Sequence, residues 1–157
     1  MKGSLPTKRP SLGITLIELM VVLAVLVILA AVGIPAFQRL AAESRVSSQA
    51  NATQSAVQFA RSEALKRRSS IVLCRDGQNL VVAEGATCDA AEGNLLVVPV
   101  DPRVALSGVN GGLTFLPTGY IASSRDFEVA DSSGGGAVAR RVEIRASGFS
   151  EITRVSG

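Results

Sequence analysis

The chain contains no histidine. Without an imidazole, Ser-His and Cys-His nucleophile pairs cannot form, and the commonest metal ligand is missing. Cysteine is nearly absent too. Cys74 and Cys88 are the two present, too few by themselves for a structural zinc site, and their spacing is not the Cys-x-x-Cys of a redox dithiol. Gly134, Gly135 and Gly136 stand together, but no strand–loop–helix phosphate pattern surrounds them. Hydrolase and redox-enzyme readings therefore lack their residues, and the expectation is a non-enzyme with no catalytic residue, no metal and no cofactor. An excess of charge is also missing. The formal charge is +3, and Lys2, Lys8 and Arg9 account for it, leaving 13 basic against 13 acidic side chains in the rest of the chain.

What the chain does have is one long apolar run. Between Ile14 and Ile34 only Thr15 and Glu18 are polar. As a helix, these residues would extend roughly 31 Å at about 1.5 Å per residue, enough to cross a bilayer. The basic residues ahead of it fit the positive-inside rule, with the leader in the cytoplasm and the following domain outside. A secretory signal would end its apolar run at a small-residue cleavage site; here the run reaches Pro35 and a helix-like sequence follows. A carboxylate at the bilayer centre costs about 2.5–3.5 kcal/mol, less near an interface. An ordinary single-span anchor gives no reason to place Glu18 there.

The segment Gly13-Ile14-Thr15-Leu16-Ile17-Glu18 resembles the class III signal of type IV prepilins. That family has a short basic leader ending in Gly, then an apolar residue, usually Phe, followed by Thr, Leu, an aliphatic residue and Glu. The resemblance implies cleavage between Gly13 and Ile14 by a prepilin peptidase and N-methylation of Ile14. Gly13 suits a site where a protease must approach the backbone closely. The resemblance further implies that Glu18, fifth in the mature chain, meets the methylated terminal amine of a neighbouring subunit during assembly. A snorkelling carboxylate with no partner is the alternative. In an exported domain Cys74 and Cys88 are expected to pair, with two free thiols as the alternative.

Pro35 removes a backbone donor and is expected to kink or locally unwind the helix. From Ala36 to Arg68 there is neither Gly nor Pro. Ala50, Thr53, Val57, Ala60 and Ala64 recur at helical spacing, with Phe59 and Leu65 widening that face, which predicts an amphipathic helix lying against a sheet. Lys66, Arg67 and Arg68 close it, where cations suit the helix dipole. Strand-like runs follow at Ile71–Cys74, Leu80–Ala83, Leu95–Val98, Leu113–Leu116, Phe127–Val129 and Val142–Ile144. Ser132-Ser133-Gly134-Gly135-Gly136 reads as a loop. Ser147-Gly148 reads as a hairpin turn returning through Glu151–Val155.

The middle of the chain is similar to the GspH/FimT group of minor pilins and pseudopilins. The resemblance lies in Phe59-Ala60-Arg61-Ser62-Glu63-Ala64 with its basic turn and the strand ending at Cys74. It continues in Thr114-Phe115-Leu116-Pro117-Thr118-Gly119 and in Arg140-Arg141-Val142-Glu143-Ile144 leading to Ser147-Gly148. It implies an α+β type IV pilin fold, a long spine helix bearing a head of two small β-sheets. The expected divisions are a leader over 1–13, a membrane and assembly half-helix over 14–35, an amphipathic half-helix over 36–68 and a β-rich periplasmic head over 69–157.

The implied partners are other minor pilins, the major pilin, the prepilin peptidase and, before assembly, the Gram-negative inner membrane. The implied function is a structural subunit of the pilus tip that primes assembly. One alternative is the equivalent pseudopilin of a type II secretion system. Another is a DNA-binding minor pilin for natural transformation, for which Arg140, Arg141, Arg145 and Arg154 are the candidate contacts. DNA-binding members carry a C-terminal Gly-Arg-x-Arg segment, and here Gly148 is followed by Phe149-Ser150-Glu151. Residues 76–131 hold 8 acidic and 2 basic side chains, a stretch that repels a duplex.

Overall fold

The computed structural model describes residues 15–89, 91–108, 111–132 and 138–155. The leader expected over 1–13, the mature terminus Ile14 and the loop residues Ser133, Gly134, Gly135 and Gly136 lie outside them. The chain divides into two units, one ending at Phe37 and one beginning at Gln38. Helical residues run from Leu16 to Arg67 as α1, Pro35 included.

In the first unit the Thr15 hydroxyl accepts a hydrogen bond from the Glu18 amide at 3.3 Å. This is the N-cap half of a Thr-x-x-Glu capping box, and it satisfies one of the orphan donors at the helix start. Every residue from Thr15 to Phe37 is exposed; Leu16 is 77% and Val32 73% accessible. A continuous apolar surface of this size does not face water in a soluble monomer. Among the described residues this is the helix long and apolar enough to cross a membrane, with a mean hydropathy of 3.0 over its best window.

In the second unit α1 buries a stripe of mostly small residues: Ala42, Val46, Gln49, Ala50, Thr53, Ala56, Val57, Ala60 and Ala64. Their three- and four-residue spacing keeps them on one face, and small side chains let a sheet approach closely. Thr53 satisfies its buried hydroxyl by donating to the Gln49 carbonyl at 2.9 Å. Phe59 packs partly buried at the edge of this core. Leu65, expected on the same face, is instead 49% exposed. One position on from Ala64, it turns about 100° around the helix and lies over Gly119, where an added Cβ would come within 3.0 Å of it. The helix stops where Arg68 takes a left-handed conformation, φ 53°, the conformation that commonly ends a helix.

Eight strands follow: β1 (Ile71–Asp76), β2 (Asn79–Glu84), β3 (Glu92–Pro99), β4 (Val104–Ser107), β5 (Leu113–Phe115), β6 (Arg125–Asp131), β7 (Ala139–Ile144) and β8 (Ser150–Val155). They make two four-stranded sheets, β3-β2-β1-β5 and β4-β6-β7-β8, antiparallel throughout. One apolar core joins the helix stripe to both sheets: Ile71, Leu73, Leu80 and Val82 come from the first, and Leu106, Phe127, Val129, Val142 and Ile144 from the second. The expected last hairpin is present. Ile144 pairs with Ser150, and the turn is closed by Gly148 N–H donating to the Arg145 carbonyl at 2.7 Å.

Candidate assembly site

Glu18 is exposed on the first helical turn. Its backbone amide serves the Thr15 cap. Among the described residues its carboxylate enters no hydrogen bond or ion pair. The reciprocal half of the capping box, a carboxylate bond back to the Thr15 amide, is thus not made, and the side chain is left unpaired on an apolar surface. A Thr-x-x-Glu cap was legible from spacing alone and does not by itself account for the carboxylate.

Pro35 sits within α1 with helical residues on both sides, so local unwinding, one of the two expected effects, does not occur there. The basic end of α1 is engaged with carboxylates. Glu63 accepts from Lys66 at 3.0 Å and from Arg67 at 2.8 Å, and Arg67 also lies 3.5 Å from Glu84 on β2. Hydrogen bonds from Arg67 first and Lys66 second hold the Glu63 carboxyl below its ordinary value of 4.5. The contribution of this cluster to stability is therefore complete above about pH 4.5 and is lost as pH falls through the lowered folded-state value. In thermal unfolding, the Tm difference between the native chain and Glu63→Gln should be constant at neutral pH and shrink on acidification. A difference that grows in acid contradicts this.

The register divides the four candidate DNA-contact arginines between two faces. Val142 and Ile144 face the core, so Arg140 shares their side of β7, and Arg154 lies directly opposite Arg140. These two line a small cavity of about 110 Å³ together with Glu43 from α1. Arg141 and Arg145 have the other parity and belong to the outer face. There Asp126, Glu143 and Glu151 are cross-strand neighbours in one row, and Glu128 is opposite Arg141. Arg145 lies 3.4 Å from Glu151 and 6.0 Å from the Phe149 ring centroid. Sequence order suggested a cluster; the register yields two separate pairs, each mixed with carboxylates.

Cys74 and Cys88 are disulfide-bonded, Cα to Cα 5.7 Å. Cys74 lies buried near the end of β1, and the bond ties the segment after β2 down beside it. Gly112 sits close by, where a Cβ would come within 2.5 Å of the Cys88 sulfur. The Thr114 hydroxyl donates to the Ala86 carbonyl at 2.8 Å, fastening the same loop to β5.

Two family profiles match this chain. Type II transport protein GspH covers residues 49–148, and the prokaryotic N-terminal methylation motif covers residues 8–34. No curated protein sequence matches it. Among solved structures it is similar to the type IV minor pilin FimU of Pseudomonas aeruginosa, at 19% identity and a TM-score of 0.56, covering 68% of this chain and 91% of that one. It is also similar to the minor pseudopilin EpsH from the type 2 secretion system of Vibrio cholerae, at 12% identity and a TM-score of 0.56, covering 70% of this chain and 97% of that one. The long apolar N-terminal helix and the two antiparallel sheets are those of the type IV pilin fold. With more than half of its length matched, the chain belongs to the GspH family of minor pilins and pseudopilins.

Proposed function

We propose that this protein is a low-abundance structural subunit that inserts in the inner membrane, loses its leader and joins other minor subunits at the tip of a type IV filament, priming its assembly. One observation carries the reading. An exposed apolar helix holds a single carboxylate, Glu18, with no partner among the described residues. In hydrocarbon such a group needs a cation to offset its desolvation. The methylated amine of Ile14 on an adjacent subunit is of the right charge, at a terminus four residues from Glu18 in sequence. The head then lies in the periplasm and faces the heads of neighbouring subunits. On this reading the protein's role is that of a structural subunit.

The peptidase step can be tested alone. Gly13→Val should leave a precursor that retains residues 1–13, visible as an unprocessed mass. Appearance of the processed mass in that variant contradicts cleavage after Gly13. FimU of a pilus and EpsH of a secretion system match this chain with equal TM-scores, so the fold favours neither setting. DNA capture is the weaker reading, because the arginines are split between two faces and their outer neighbours are acidic. Binding through several phosphates would give steep salt dependence. The detergent-solubilised chain should show no salt-sensitive binding to duplex DNA. Such binding, lost on replacing Arg140, Arg141, Arg145 and Arg154, would restore that function.

A further inference from the structure

A cavity of about 450 Å³ opens between α1 and the β7–β8 turn, lined by Gln58, Arg61, Ser62, Leu65, Phe149 and Ser150 and by Gly148 at the turn itself. Its volume lies in the range of small-ligand sites, about 300–1,000 Å³. Its rim is apolar and open: Leu65 is 49% and Phe149 54% exposed. The Arg61 Nε is buried without a hydrogen-bond partner, and so is the Ser150 hydroxyl, on a residue only 4% exposed. Among the described residues no carboxylate pairs with Arg61. Gly148 is what allows this arrangement: it has φ 76°, and a Cβ there would lie 2.9 Å from Arg61 Nε and also strike the Gly119 carbonyl. A buried N–H is costly to leave unsatisfied, the half-buried Arg61 has no hydrogen-bond or ion-pair partner among the described residues, and a guanidinium fork matches a carboxylate.

We propose that this groove is a docking site for a peptide segment of a neighbouring subunit's head, one that presents a carboxylate to the Arg61 guanidinium beside an apolar side chain that sits between Leu65 and Phe149. Charge complementarity fixes the carboxylate, and the exposed apolar rim fixes its neighbour. The origin of the segment rests on the filament-subunit reading; the groove's chemistry does not.

The test uses the full chain in detergent micelles, titrated with acetyl-Leu-Asp-Ala-amide and with the matching Asn peptide, and followed by NMR of the Arg61 side-chain N–H and the Phe149 ring. The Asp peptide should bind at least about tenfold more tightly than the Asn peptide, the scale of one charge-assisted hydrogen bond. Arg61→Gln should remove that preference. Leu65→Glu, a change at the half-exposed rim, should remove it independently by placing a carboxylate one helical turn from Arg61. Equal binding of the two peptides, no response to either, or an unchanged preference in both variants overturns the proposal. Self-association that fills the groove without peptide also overturns it, by making a second copy the occupant. The titration involves no filament, so its failure leaves the filament reading standing, and a failure of filament incorporation leaves the groove chemistry standing.

Discussion

Glu18→Ala is expected to insert in the membrane as well as the native chain and to vanish from assembled filaments. Insertion depends on the apolar surface, which the substitution extends by removing a carboxylate from it. Assembly depends on the pair. A neighbouring ammonium left unpaired in an apolar setting loses about 3 kcal/mol, on the order of a hundredfold in an association equilibrium. Membrane fractions should therefore hold normal amounts of processed protein, and sheared filaments close to none. Glu18→Gln keeps the size and the Thr15 cap, since that cap uses the backbone amide, and should fail in the same way. Recovery of normal incorporation by either variant contradicts the pairing. Loss of insertion in both would show that Glu18 acts earlier than assembly.

Reduction of the Cys74–Cys88 bond should have the largest effect on the head. The bond closes a loop with a sequence separation of 14, worth roughly 3 kcal/mol in the chain-entropy view. For a domain of this size that is a fall in Tm of about 10–20 °C. The segment after β2 is held otherwise by the Thr114 bond to Ala86, so it should be the first part to gain hydrogen exchange. Thermal unfolding of the reduced native chain, compared with Cys74→Ala/Cys88→Ala, separates the cross-link from packing of the sulfur. An unchanged Tm under reduction would mean that the loop is ordered without it.

Much of this architecture was legible in the residues. The apolar run, Glu18 and the Gly13 junction stand together within a few positions, so motif and hydropathy agree there. The helix stripe was legible because Ala50, Thr53, Val57, Ala60 and Ala64 repeat at the helical period. Seven of the eight strands carry an apolar run or a return after a glycine turn. The missed one, β4, has only Val104 and Leu106 facing inward, with Ala105 and Ser107 outward, between Pro102 and Gly108. A four-residue alternation is too short to stand out from loop sequence. Register was not legible at all. Whether Arg154 joins Arg140 or Arg141 depends on a turn whose length fixes which residues oppose, and the five residues between β7 and β8 put it opposite Arg140. The groove was illegible for the same reason: Arg61 and Ser150 lie far apart in sequence and meet only through the packing of α1 on the last hairpin.

The most direct single measurement is the location and copy number of the processed protein in purified filaments, by quantitative mass spectrometry with immunogold labelling of the head. The expected result is a chain beginning at methylated Ile14, present in a few copies and confined to one end. Protein distributed along the whole shaft, or processed protein found only in the membrane, would contradict a tip subunit that primes assembly.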